Sequence, residues 1–402
     1  MEEKRFLLFP AYVAQAGTSL ASAGVMSFLP LFLAELYGSD SSVMLWAGLA
    51  AGIAPLAAAF AAPFWSLGAC RWGPQRVMAA ILLCLFLSLA FVSMAEKGWQ
   101  VLAFRFLQGM AGGMEPVLLA AISILTREER ISEKMGYFQA ALVMGVIFGP
   151  LLGGGLFDYA GSRRAFLLLS LIPLVCLMMV WLFFPAIHYT GRRASDSLSI
   201  KELFHFLKRP PLRTLAAVQM LCNMGITSMG PVLPLYIGHI ESVRDGSAAA
   251  LAGMALFLCG IGSALSSFLA GKLLKRFSPM LVLGEAAFFI SLSFCLQREM
   301  SLLSFYMACW CLIGLGMGLV APSVNTMIVK SVSREERCRV FGALSPLFLL
   351  ANGAGPFGSG FVTMVFGYEG TFLFAASAFC LAGCLAVHMG HGREGALIGK
   401  IN

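Results

Sequence analysis

Charge is what this sequence has least of. Only 12 % of its 402 residues are Asp, Glu, Lys or Arg, against about a quarter in a soluble domain, while 59 % are hydrophobic. With a mean hydropathy of +0.84, these figures exclude an ordinary water-soluble chain. The 11 cysteines are odd in number and lie mostly inside apolar runs, which excludes a disulfide-stapled secreted domain. Chemical motifs are missing too. There is no Walker A sequence, no H-E-x-x-H and no G-x-S-x-G, so ATP-driven pumping and hydrolysis have no residues to rest on. The five histidines fall at helix ends or in loops, and Cys309/Cys311 and Cys380/Cys384 sit in apolar helices as small hydrophobes. Neither an enzyme nor a metal or other cofactor is expected.

What is present is a succession of long apolar runs, near 7–36, 44–66, 77–95, 100–125, 137–157, 164–185, 213–237, 248–270, 280–297, 302–329, 341–366 and 371–389. A helix needs about 20 apolar residues to cross the hydrocarbon, so twelve spans of ~22 use ~264 residues and leave ~138 for connections. The expected fold class is an all-α membrane protein with twelve transmembrane helices. A transmembrane barrel would alternate in segments of about 10 residues, and nothing here alternates for long.

With both termini cytoplasmic, the inner loops and tails hold 22 of the 28 Lys and Arg, and the outer loops hold only Lys97, Arg163, Arg164, Arg244 and Arg298. The excess of base, a net +8, then marks topology and requires no nucleic acid. The first apolar run is too long for a signal peptide and is expected to remain as helix 1.

The longest polar interval, 188–212, divides the chain into a six-helix bundle over 1–187 and another over 213–402. Within it, Ser199 to Leu207 predicts a short surface helix, with Ile200, Leu203, Phe204 and Leu207 on one face. The two halves repeat one another. Phe28-Leu-Pro30-Leu-Phe32 returns as Val232-Leu-Pro234-Leu-Tyr236 and Gln15 as Gln219, both 204 residues on. Arg127-Glu-Glu-Arg130 returns as Arg334-Glu-Glu-Arg337, and Gly149-Pro150 as Gly355-Pro356. Parallel six-helix repeats are the construction of transporters that alternate access around a site between their halves.

Gly145, Gly149 and Gly153 fall at i, i+4, i+8, a bare ridge that admits a close helix, and Pro150 removes a backbone hydrogen bond. Simple membrane packing accounts for such spacing; the added Gly-Pro and Gly153-Gly154 favour a seam between the halves. Arg105, Gln108, Gly112 and Glu115 project within about 80° of one another on a continuous helix 4, a polar stripe that lipid does not tolerate. Two readings fit: a proton-binding Glu115 coupled to Arg105 through Gln108, or a structural Arg held by carbonyls and a Glu held by a hydroxyl. Glu285, beside Lys275 and Arg276, reads as an interfacial ion pair. Gln15, Ser19 and Ser22 on helix 1, with Met26 near them, and Gln219, Asn223 and Thr227 on helix 7 form matching polar faces; Asn325 and Asn352 are further candidates to touch a substrate. Adaptable Met and Phe near those faces suit apolar or amphipathic cargo better than a sugar.

Together these residues resemble the major facilitator superfamily, and within it the twelve-helix drug:proton antiporters of the bacterial MdtG-like kind. The resemblance rests on Arg105-Phe-Leu-Gln108-Gly109, similar to an R-x-x-x-G element that the family associates with proton coupling. It rests also on Gly145-Val-Ile-Phe-Gly149-Pro150-Leu-Leu-Gly153-Gly154, similar to the antiporter signature. A loop motif is degenerate: Arg71, Gly73 and Arg76 match it, but Cys70 stands in the acidic place, and in the second copy Lys275 does, beside Arg276. In the family this loop is a charge-paired latch, so its energetics are expected to differ here. The resemblance implies two pseudo-symmetric six-helix bundles in a bacterial inner membrane, exporting small amphipathic or cationic compounds in exchange for protons, as a monomer. A dedicated exporter of a metabolite, lysolipid or siderophore, and a membrane sensor that transports nothing, are the other two readings.

Overall fold

The computed structural model describes residues 7–38, 42–126, 130–186, 200–239, 248–298, 302–333 and 336–398, and every regular element among them is helical. In the first half these are α1 (Phe9–Met26), α2 (Leu29–Tyr37), α3 (Ser42–Trp72), α4 (Pro74–Ser93), α5 (Gly98–Met110), α6 (Met114–Leu125), α7 (Ile131–Ala160) and α8 (Ser162–Phe183). After α9 (Ile200–Leu207) come α10 (Pro210–Ser228), α11 (Leu233–His239), α12 (Ala248–Arg276), α13 (Pro279–Arg298), α14 (Leu303–Ser331) and α15 (Arg337–Ile398). Prolines open α1, α2, α4 and α10, where the missing N–H costs nothing because the first turn has no intrahelical acceptor for it.

Eight helices are long and apolar enough to cross a bilayer alone. Two further spans are bent pairs, α1 with α2 and α10 with α11, each turning by 42°. Both bends fall where the repeated Leu-Pro-Leu begins, so the helix 1 and helix 7 correspondence extends to the kink. The apolar stretch Ala343–Gly390, one of the eight, divides into two spans, because Gly367 at φ 70 breaks α15 where only glycine is comfortable. The twelfth span is helix 4, divided into α5 and α6.

The chain packs as two compact units. One comprises Met1–Ser197, Leu233–Gly238 and Val243–Phe257; the other comprises Leu198–Val232, His239–Ser242 and Leu258–Asn402. The repeat is legible in the packing inside each. In the first unit Gly149 lies against Leu20, Ala23 and Gly24 of α1; in the second, Gly355 lies against Met224 and Thr227 of α10. Leu20 and Met224, like Ala23 and Thr227, are 204 residues apart, so the same helix face is used in both.

Two expectations need correction. The ridge Gly145, Gly149 and Gly153 does not lie at a seam between the halves: all three face α1, a helix of the same bundle. Adjacent small residues on α1, from Ala16 to Gly24, make it the neighbour that can approach most closely. The surface helix forms as α9, but Phe206 is its buried ring while Phe204 is 61 % exposed: α9 packs against α10 and α15, and the Arg209 guanidinium lies 5.6 Å from the Phe206 centroid.

Candidate functional site

Helix 4 is where sequence and structure diverge most. Two consecutive glycines, Gly112 and Gly113, separate α5 from α6, and each lies against α3, on Ala58 and Trp65 respectively. A side chain at either would collide with that helix. The carbonyl freed at Met110 accepts a hydrogen bond from Trp65 Nε1 at 2.6 Å, which caps the broken end. Rotation at 100° per residue therefore does not carry from Arg105 to Glu115, and the continuous stripe is replaced by two separate sites.

Arg105 is fully buried on α5. Its Nε donates to Ala50 O at 3.0 Å on α3 and a terminal nitrogen donates to Gln108 Oε1 at 2.5 Å. It has no carboxylate partner among the described residues, so carbonyl and amide oxygens alone offset a buried cation. Glu115, in the first turn of α6, is exposed and makes no hydrogen bond or ion pair among the described residues. Its carboxyl stands at the N-terminal end of α6, open to a proton or a cation.

The polar faces of helices 1 and 7 carry the same internal bond. Gln15 Nε2 donates to Ser19 Oγ at 3.1 Å, and Gln219 Nε2 donates to Asn223 Oδ1 at 2.9 Å. In the first unit Gln15 is buried, while Ser19, Ser22 and Met26 are partly exposed, Ser19 with its Cβ against Gly145. In the second, Gln219 and Asn223 are partly exposed, but Thr227 donates to Asn223 O at 2.7 Å and packs on Gly355. Asn325 is exposed on α14 and Asn352 half-buried on α15.

Gly154 and Pro150 meet a different helix from the ridge. A Cβ on Gly154 would overlap the Ala249 backbone, one on Gly253 would overlap Pro150 O, and the Phe148 and Phe257 rings lie 5.3 Å apart. Asp158 accepts from Ala250 N at 3.3 Å. The N-terminal end of α12 thus packs on α7 within the first unit. Gly253 and Ala249 were not singled out in the sequence; the run of small residues from Ala248 to Gly253 was the available signal.

The loop residues are exposed at Arg71 and Arg76, and Gly73 has φ 86, a left-handed turn that caps α4. Neither arginine, nor Arg276 at the end of α12, makes an ion pair among the described residues. Gln75, overlooked between them, carries the contact instead. Its Nε2 donates to Phe184 O at 2.7 Å and Trp181 O at 3.1 Å, closing the end of α8. The expected pairing of Glu285 with Lys275 or Arg276 is absent; Glu285 lies in an apolar groove instead. Among the described residues an ion pair joins Arg209 to Glu336 at 2.8 Å, beyond the spans. The hydrogen bonds from Arg209, aided by Ser333 N, hold the Glu336 carboxyl down to about 2.

Comparison with known proteins bears on the whole chain. A sequence model described as Major Facilitator Superfamily matches residues 11–279 and 215–395. The chain is 30 % identical over 374 residues to a protein of Proteus mirabilis named multidrug resistance protein MdtG, covering 91 % of this chain and 92 % of the relative. It is 27 % identical to the protein of that name in Yersinia enterocolitica, covering 92 % and 89 %. Among solved structures, a bacterial homologue of the human lysosomal transporter Spinster, inward-facing and occupied, superposes with a TM-score of 0.78 at 14 % identity, over 97 % of both chains. The nucleoside transporter NupG superposes with a TM-score of 0.81 at 11 % identity, over 95 % and 98 %.

Proposed function

The chain belongs to the Major Facilitator Superfamily, and from that premise we propose that it is a secondary active transporter exporting small amphipathic or cationic compounds, of the multidrug type, in exchange for protons. Similarity to multidrug resistance proteins along nine-tenths of the chain supports the cargo class. The observation that carries the coupling is the division of helix 4: Arg105 is satisfied and buried, while Glu115 is exposed and unpaired among the described residues. A carboxylate that no side chain neutralises is the one that exchanges a proton for a cationic substrate. Arg105 then acts as a fixed positive element of α5 rather than as a direct partner. Ser22, Met26, Gln219, Asn223 and Asn325 retain the exposure a substrate contact needs; Ser19 and Thr227 are partly exposed as well but pack on Gly145 and Gly355.

Accumulation of a fluorescent organic cation in everted vesicles, with and without a pH gradient, tests this reading. The parent accumulates it only with the gradient, and Glu115→Gln loses both accumulation and substrate-induced proton release in detergent. Unchanged proton release from Glu115→Gln removes that residue and transfers the role to Asp158. The protein works as a monomer in the inner membrane with both termini cytoplasmic. A cysteine at Lys97 then reacts with an impermeant thiol reagent in intact cells and one at Lys330 does not; the reverse pattern overturns the orientation.

A further inference from the structure

A groove of about 480 Å³ runs between the end of α12, the first half of α13 and the middle of α14. Phe277, Leu281, Phe289, Leu315 and Leu319 line it, and its single charged group is Glu285. Phe277, Leu281 and Phe289 are 52 %, 48 % and 41 % exposed, so the groove opens outward from the second unit. Glu285 lies six residues into α13, about 9 Å along the axis from Pro279. It has neither an ion-pair nor a hydrogen-bond partner among the described residues. The basic groups Lys272, Lys275 and Arg276 at the end of α12 are exposed and none pairs with it.

An unpaired carboxylate with hydrocarbon walls at that depth selects its occupant by charge. A neutral apolar body gains the walls but leaves the carboxylate bare, and a hydrophilic cation gains the charge but not the walls. A zwitterionic lipid headgroup brings its own phosphate toward Glu285 and has to sink below its usual level. An amphipathic cation satisfies both requirements at once, with its apolar part on the walls and its charge on Glu285. The volume is also that of a small-molecule pocket. We infer that this groove is a peripheral binding site for monovalent amphipathic cations, drawn from the leaflet bordering the α12–α13 turn and held by Glu285. Binding here is independent of turnover, so it stands or falls separately from the transport reading.

The test uses the full chain in nanodiscs of phosphatidylcholine and phosphatidylglycerol, with a diazirine-bearing benzylalkyl trimethylammonium and its uncharged tert-butyl counterpart as probes. Trypsin cuts after Arg276 and Arg298, which isolates Phe277–Arg298 for mass spectrometry. The cation labels this peptide in the parent and in Glu285→Asp, and labelling falls about fivefold in Glu285→Gln, the loss expected for one partly wet ion pair. The neutral probe labels parent and Gln variant alike, and weakly. Equal labelling of parent and Gln variant by the cation overturns the proposal, as does neutral labelling as strong as the cation's in the parent. Loss of the cation's labelling when phosphatidylethanolamine replaces half of the phosphatidylcholine assigns the groove to a lipid ammonium and overturns it as well.

Discussion

Adding one methyl group at Gly149 tests the close contact of α7 with α1 in the first unit. An alanine Cβ there would stand 2.6 Å from Leu20 O, 2.9 Å from the Ala23 Cβ and 3.0 Å from Gly24 N, where ordinary contacts begin at 3.4 Å. Two of these three atoms are backbone, so relief requires α1 and α7 to separate by several tenths of an ångström along their length. Overpacking of this kind costs about 1–3 kcal/mol. Against it stands the better helix propensity of alanine, a gain of about 1 kcal/mol over glycine. The clash outweighs it by up to about 2 kcal/mol, which for a unit of roughly 200 residues lowers the melting temperature by up to about 8 °C. Gly155→Ala is the matched control: it lies on the same helix, has nothing within 4 Å, and keeps the propensity gain alone. Melting of the two variants in one detergent, followed by size-exclusion fluorescence, measures the difference. Equal melting, or a more stable Gly149→Ala, refutes the α1–α7 contact. Gly149→Leu extends the series: the chain still inserts, since insertion needs only hydrophobicity, but it does not transport.

Gln108→Leu takes from buried Arg105 its only side-chain acceptor among the described residues and lowers stability by about 2–3 kcal/mol, read as a fall in melting temperature that Gln108→Glu does not share; unchanged melting shows that the amide does not hold the guanidinium. Gly154→Val drives α7 from the Ala249 backbone, so a Phe148→Cys/Phe257→Cys pair, at rings now 5.3 Å apart, oxidises several-fold less readily than in the Gly154 parent. The Arg209–Glu336 pair has a depressed carboxyl, so its contribution is fully present above the ordinary carboxylate range near 4.3 and disappears as pH falls toward about 2. An infrared titration of the Glu336 carboxyl, assigned by Glu336→Gln, shows no protonation between pH 8 and 5, and Arg209→Ala moves the midpoint up toward 4.3; a midpoint unmoved by that substitution contradicts the assigned cause.

Much of the architecture was determined by composition and local pattern. Hydrocarbon imposes helices on any apolar run of about 20 residues, because backbone groups there have no water to bond. The Leu-Pro-Leu repeat located the bends of α1–α2 and α10–α11, and the 204-residue offset carried through to Gln15–Ser19 and Gln219–Asn223. These features depend on residues close in the chain, so their signal is local. What depended on remote neighbours was decided only by the tertiary structure. Spacing showed that Gly145, Gly149 and Gly153 form a bare ridge, but a ridge does not name its partner; α1 is that partner because Ala16 to Gly24 offer an equally small surface. Periodicity likewise assumed one helix from Arg105 to Glu115. The break at Gly112–Gly113 arises because α3 presses on both glycines and Trp65 caps the carbonyl that the break frees, contacts about 45 residues away in sequence. Charge adjacency put Lys275 and Arg276 beside Glu285, yet helix direction carries the carboxylate into an apolar groove and leaves the bases outside it. Residue type and spacing determine which groups must be buried or satisfied; which atoms satisfy them is a property of helix packing, since each partner lies on another element.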